Sequence, residues 1–238
     1  MTRMSVLAAA AACLLLAGPG AAPAAPARAA SSGTMRAAPG DTVYAPRFLP
    51  RTRGSADAPV TVYELSDFQC RYCRQVALET YPALDSLYVR TGKVRWVFMH
   101  YPKPRAHPHA VRAAEFSVCA GRAGRFWEMH DALFQAQPEW APLPSADSAF
   151  FAIAGELGMD RAALDACLRS GAAAAEIEAD AAYPRQLGIG GVPAFVVEDR
   201  MIAQGARPLE VFVAALDSVL AARGEDGSMC GATPVCQR

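Results

Sequence analysis

The sequence carries no net charge. Its 23 Lys and Arg are matched by 23 Asp and Glu, so no global field draws the chain toward nucleic acid or an anionic membrane surface. Histidine is scarce: His100, His107, His109 and His130 are the only four. No H-E-x-x-H or comparable spacing joins them, which argues against a metal site, and none is expected. His107 and His109 flank Pro108 where a helix-period stretch begins and read as capping or solvent-exposed side chains. No internal repeat is present, and no apolar run reaches the ~20 residues of a membrane-spanning helix. Apolar residues as a class are plentiful, at 53% of 238. That is enough to bury a full core in one main domain without help from a metal.

The N-terminus reads as an address. Arg3 supplies a positive n-region, Ser5 to Leu16 an apolar h-region, and A-x-A sites follow at 22–24, 25–27 and 27–29, which together describe a signal peptide over residues 1–30. An uncleaved membrane anchor is the alternative. Cys13 is followed by more leucines, the wrong order for a lipidation site. Residues 31–54, rich in Ala, Pro, Gly and Arg, read as a flexible lead-in. The folded domain is placed at 55–224, with a tail over 225–238.

Within the domain, Val60 to Leu65 is β-branched and aromatic and runs through a short loop into Cys70-Arg71-Tyr72-Cys73. A helix is expected from Cys70 to about Val89, kinked at Pro82, whose missing N–H leaves an upstream carbonyl unpaired. A second strand over Val94 to Met99 then gives a parallel β-α-β unit. From about 107 to 187 only Ala-rich helix-period segments occur, with Ser145 and Asp160 as N-caps and Gly171 as a stop. Phe126, Trp127 and Phe134 lie at helical spacing and read as core. Ala194 to Val197 is a strand, turned at 198–200 and returned by Met201 to Ala203, and a last helix opens at Pro208.

A C-x-x-C at a helix N-terminus carries chemistry. Unpaired backbone N–H groups and the positive end of the helix dipole favour the thiolate of the first cysteine, lowering its pKa from ~8.5 toward the range ~3.5 to ~7.5. Cys70 is therefore the expected nucleophile and must be accessible. Cys73, one turn inward and less exposed, is the resolving thiol, with Arg71 and Tyr72 tuning the pair. Haem attachment would need His where Arg74 stands. A structural zinc site lacks a second close pair, and a purely structural four-residue bridge would stabilise weakly. Export to an oxidising compartment leaves six cysteines in the mature chain. Cys119 and Cys167, 48 positions apart, are expected to form a structural bridge, with two buried free thiols as the alternative. Cys230 and Cys236 close a small loop or react with another protein.

Val60 to Cys73, together with Phe126-Trp127-Glu128-Met129-His130-Asp131-Ala132-Leu133-Phe134 and Gly191-Val192-Pro193, resembles the DsbA-like thiol:disulfide oxidoreductases over roughly Gly54 to Arg223. The resemblance implies an α/β thioredoxin fold, a mixed central sheet flanked by helices with an all-helical insertion before the cis-proline strand. It implies that the Val192–Pro193 bond is cis and faces the cysteines, offering backbone to a client peptide, and that Glu64 is a buried acid serving as proton relay. The Arg71-Tyr72 dipeptide departs from the Pro-His of the strong oxidants. The expected activity is oxidation of reduced or unfolded exported proteins in the periplasm or an equivalent compartment, with no cofactor beyond the Cys70–Cys73 disulfide. A membrane redox partner would recycle a monomeric enzyme. A reductase or isomerase on the same fold, and a non-catalytic peptide-binding or chaperone-like protein, are the alternatives.

Overall fold

The computed structural model describes residues 48–229. The leader, the lead-in up to residue 47 and the Cys230 and Cys236 tail lie outside the described residues.

A five-stranded sheet in the order β1-β3-β2-β4-β5 forms the centre. Its strands are β1 (Thr52–Arg53), β2 (Val60–Ser66), β3 (Val94–His100), β4 (Ala194–Val197) and β5 (Arg200–Gln204). β2 and β3 are parallel, with Val60 opposite Val94 and Ser66 opposite His100, as a helical crossover demands. The other pairings are antiparallel, so the sheet is mixed. The β4–β5 hairpin turns on Glu198 and Asp199, both at positive φ, the backbone that a tight two-residue turn needs to match strand twist.

Helix α1 covers 71–89 without a break. It starts as Arg71–Gln75, passes through π-helical Val76–Thr80, α-helical Tyr81–Leu84 and π-helical Asp85–Val89. The expected kink at Pro82 is handled by these wider turns: the Tyr81 N–H donates to the Val76 carbonyl, five residues back, one turn before the proline. Between β3 and β4 lie α2 (Ala110–Arg122), α3 (Phe126–Gln135), α4 (Gln137–Trp140), α5 (Asp147–Glu156), α6 (Arg161–Arg169) and α7 (Ala172–Gln186), and α8 (Leu209–Met229) ends the described chain. Asp160 caps α6 through a bond from the Ala163 N–H, and Gly171, at φ 72°, separates α6 from α7. Ser145 does not cap α5; Ala146 holds that position without a side-chain bond, a shift within the usual uncertainty of helix ends. No helix among the described residues is long and apolar enough to cross a membrane.

Alternation along the strands sorts the core onto two faces. Val62, Trp96 and Phe195 pack with Val76, Tyr81 and Phe212 from α1 and α8. Leu65, Val97, Met99 and Val196 pack on the other face with Phe48 and Ala181 of α7. The insertion has its own apolar centre, built on Phe116, Phe134, Trp140 and Phe150, which reaches Phe68 and Phe98.

One boundary differs from the sequence reading. Packing reaches back before Ser55: Phe48 and Arg51 are buried and β1 pairs with β3. Arg51 looks like a solvated lead-in residue in sequence. Its burial is created by partners 125 and 129 positions away, Glu176 at 2.9 Å and Asp180, both on α7, and a buried charge is tolerated only when so paired.

Candidate active site

β2 ends at Ser66 and delivers the chain to a tight loop, 67–70. The Asp67 carboxylate is fully buried and accepts three bonds: from Gln69 N (2.8 Å), from Lys103 N (2.8 Å) and from the His107 ring at Nδ1 (2.8 Å). The Cys70 N–H closes the turn onto the Asp67 carbonyl at 3.1 Å. From the insertion, Gln137 Nε2 donates to the carbonyls of Phe68 (2.6 Å) and Cys70 (3.1 Å). Gln69 bridges to the Ala141 carbonyl and to the His109 N–H. The loop thus arrives at α1 in a single conformation because its polar groups are held from three elements.

Cys70 occupies the N-cap position of α1 with extended backbone (φ −73°, ψ 120°). Both cysteines are free thiols. The Cys70 pKa is lowered to about 6, first by a hydrogen bond from the Cys73 thiol and also by the backbone N–H groups of Cys73 and Tyr72, against burial and the Asp67 charge. The sulfur thus stands where a Ser or Asp side chain caps a helix, close enough for those N–H groups to favour its anion although it makes no side-chain capping bond. Cys73 is fully buried, and burial, together with the pairing to Cys70, pushes its thiol well above the ordinary value. One thiol is poised as an anion and the other kept protonated.

The Val192–Pro193 peptide is cis. Antiparallel pairing of Ala194 with Leu65 carries this loop to the C-terminal end of β2, and the Val192 carbonyl lies 3.8 Å from Cys70 Sγ. The Gln204 side chain of β5 closes over Gly191, where a Cβ would stand 2.6 Å from its Nε2 and would require only that flexible amide to turn away. The expected accessibility of Cys70 needs correction, since only 5% of the residue is exposed. Its carbonyl is occupied by Gln137 and its sulfur is flanked by the Val192 loop, a covering that comes from residues 67 and 122 positions away.

Glu64 is buried and its pKa is raised by burial, with His130, Trp96, Ser66 and Arg53 acting in the opposite direction. Trp96 Nε1 donates to its Oε2 at 2.9 Å. The Arg71 guanidinium lies over the Tyr72 ring, 4.6 Å from the centroid, and bonds the Tyr72 hydroxyl at 2.6 Å. Cys119 and Cys167 are disulfide-bonded with Cα atoms 5.9 Å apart, joining α2 to α6. Among the described residues no cluster of three or more His, Cys, Asp or Glu could hold a metal ion.

Sequence reading missed Asp67, His107 and Gln137. His107 is tied to Asp67, and that bond raises its pKa, with the nearby Cys70 thiolate acting in the same direction. Spacing gives no sign of this, because the partners are 40 positions apart and meet only through the loop after β3.

Residues 49–218 match the family model described as Thioredoxin. The chain is 38% identical over 169 residues to a Na(+)/H(+) antiporter NhaA 3 of Salinispora tropica, a match that takes in 71% of this chain and 24% of the antiporter. The chain thus spans about a quarter of the length of that relative, and antiport is the named activity of the whole longer protein. Among solved structures, alpha-DsbA1 of Wolbachia pipientis superposes with a TM-score of 0.66 at 20% identity, over 74% of this chain and 93% of that one. A thioredoxin-like oxidoreductase of Silicibacter pomeroyi gives 0.58 at 26% identity, over 71% and 90%. A family match over most of the described residues, on a sheet that sets a cis-proline against a helix-capping C-x-x-C, means that this chain belongs to the thioredoxin family, in the helix-inserted form of the fold found in DsbA-like proteins.

Proposed function

We propose that this protein is a thiol:disulfide oxidoreductase that oxidises the thiols of exported proteins through the Cys70–Cys73 pair. The observation that carries the reading is the division of labour between the two sulfurs, one with its pKa lowered to about 6 and the other buried and held protonated. A thiolate that is stable at neutral pH stabilises the reduced pair, which makes the disulfide a better oxidant, and makes Cys70 a good leaving group.

In the proposed cycle a client thiolate attacks Cys70 Sγ of the disulfide. The client–Cys70 bond forms, the Cys70–Cys73 bond breaks, and Cys73 leaves as a thiolate that takes up a proton, for which the buried Glu64 carboxyl, its pKa raised by burial, is the donor in this reading. A second client thiolate then attacks its own sulfur, displacing the Cys70 thiolate and releasing an oxidised client. The client lies along Val192 and Pro193, whose backbone flanks the reacting sulfur, and Tyr72, 45% exposed, offers it an apolar contact. No cofactor is needed beyond the disulfide. A membrane redox partner reoxidises the pair, and the leader over residues 1–30 exports a protein that works as a monomer.

Refolding of a reduced, disulfide-containing client tests the activity. The oxidised protein should restore the client's disulfides and Cys70→Ser should not. Direction is read from the reduction potential against glutathione, where a value near about −270 mV would assign a reductase instead.

A further inference from the structure

Six buried polar atoms on one side of the sheet have no hydrogen-bond partner among the described residues: Glu64 Oε1, Ser66 Oγ, Trp127 Nε1, His130 Nε2 and both ring nitrogens of His100. Native proteins rarely leave such groups unpaired, and several together mark a path through which protons or internal water pass. The six are neighbours. Glu64 and Ser66 alternate onto one face of β2, opposite Phe98 and His100 of β3. Trp127 and His130 of α3 cover that face: the His130 ring centroid lies 5.0 Å from both the Phe98 and the Trp127 rings.

The series has two ends. Inward, Ser66 Oγ stands between Glu64 and the Cys73 thiol. It favours the ionised form of each without forming an ordinary hydrogen bond to either, as a hydroxyl that can turn from one to the other would. Outward, His130 Nδ1 bonds Asp131 Oδ1 at 2.7 Å, and the Asp131 side chain is 46% exposed. Arg53 fixes this exit, 3.3 Å from Asp131 Oδ2 and 4.0 Å from the Trp127 ring centre. The charged and titratable groups facing Glu64 are His130, Arg53 and Tyr81; those facing His130 are Asp131, His100 and Glu64.

We infer that the buried Glu64 relay continues outward through His130 to solvent at Asp131, with Ser66 passing protons between Glu64 and the buried Cys73 thiol. The path serves the exchange proposed above and rests on that reading. When Cys73 attacks a mixed disulfide on Cys70, its S–H proton passes by way of Ser66 to the Glu64 carboxylate. The Cys70–Cys73 bond forms as the bound thiol departs as thiolate, and Glu64 then discharges its proton through His130 to Asp131 and water. During client oxidation the same proton travels inward. His130 is a relay and not a group that touches the reacting sulfurs, which makes its prediction specific.

The reduced protein is mixed with oxidised glutathione, quenched with acid at intervals, and the Cys70–glutathione mixed disulfide followed by mass across pH for the wild type, Glu64→Gln, His130→Gln and Asp131→Asn. Decay of the mixed disulfide should slow by about tenfold or more in His130→Gln near pH 6, and the gap to the wild type should narrow as pH rises and hydroxide replaces the missing acid–base group. The alkylation midpoint of Cys70 should not move. Asp131→Asn, at a half-exposed position, should show the same pH-dependent slowing more weakly and serves if His130→Gln does not fold. Absence of any mixed disulfide in the wild type would remove the exchange reading and the path with it. Slowing in Glu64→Gln alone, with the other two variants matching the wild type at every pH, would keep the exchange and remove the exit. Equal slowing of His130→Gln at all pH values would make His130 a packing residue and also overturn the path.

Discussion

Cys70 and Cys73 are the same residue type three positions apart, yet their environments drive them in opposite directions. The first receives the Cys73 thiol and two backbone N–H groups at the start of α1, and the second is sealed beneath it. Alkylation of the reduced protein should therefore show one cysteine with a midpoint near 6, assigned to Cys70 by peptide mapping, and a second that stays unreactive at neutral pH. Arg71→Ala should leave that midpoint in place to within a few tenths of a pH unit, because an exposed guanidinium occupied by Tyr72 contributes little through solvent. A fall in reactivity comparable to that of a lost cap would show that Arg71 acts on the sulfur after all.

Between elements, the site depends on the insertion more than on the sheet alone. Gln137 of α4 donates to both the Phe68 and Cys70 carbonyls, so Gln137→Ala strips two acceptors in a buried loop of their partner. We expect a loss of about 1–3 kcal/mol in urea unfolding, accompanied by faster alkylation of Cys70 as the loop loosens. Unchanged alkylation in a destabilised variant would separate the loop's stability from its geometry. The Cys119–Cys167 bridge is the contrasting case. Replacing both by Ala should cost at most about 4 kcal/mol, the chain-entropy value for a loop of this length, measured by thermal or urea unfolding, with the Cys70 midpoint unmoved because neither sulfur is among the groups that set it.

For the molecule as a whole, the lowered pKa of Cys70 links redox state to stability. In the reduced protein its contribution is fully present above the unfolded-state pKa and is lost as pH falls through the folded value of about 6; the disulfide form has no such titration. The reduced form should thus gain stability relative to the oxidised one as pH rises from about 6 to about 8.5, by up to about 3 kcal/mol. At higher pH the raised pKa of Cys73 works the other way, so the advantage should peak and then decline. Paired unfolding curves of the two forms across pH measure this directly, and a flat difference would mean that Cys70 is not held as an anion.

Much of this was legible in the chain. The strand-loop-helix order around Cys70 followed from β-branched residues giving way to a C-x-x-C and a helix-period run, and the helical insertion from Ala-rich segments without strand patterning. The mixed sheet and the cis bond at Pro193 came through resemblance, since neither periodicity nor spacing carries them. That packing reaches back before Ser55 was not legible, because Arg51 is polar by composition and buried only with ion pairs to α7. Glu64 came through resemblance, whereas Asp67, His107, Gln137 and the placement of Ser66 and His130 beside Glu64 were invisible.

What the sequence by itself determined was which residues hold the chemistry, because a cysteine's place at a helix start is a local matter set by a few neighbours and by hydrogen bonds the helix cannot make internally. What only the tertiary structure decided was how those residues are tuned and covered. The Asp67–His107 contact, the Gln137 clamp, the Val192 carbonyl beside the sulfur and the buried polar series beneath it all join residues dozens of positions apart. Electrostatics and burial act through space, and chain distance does not report them.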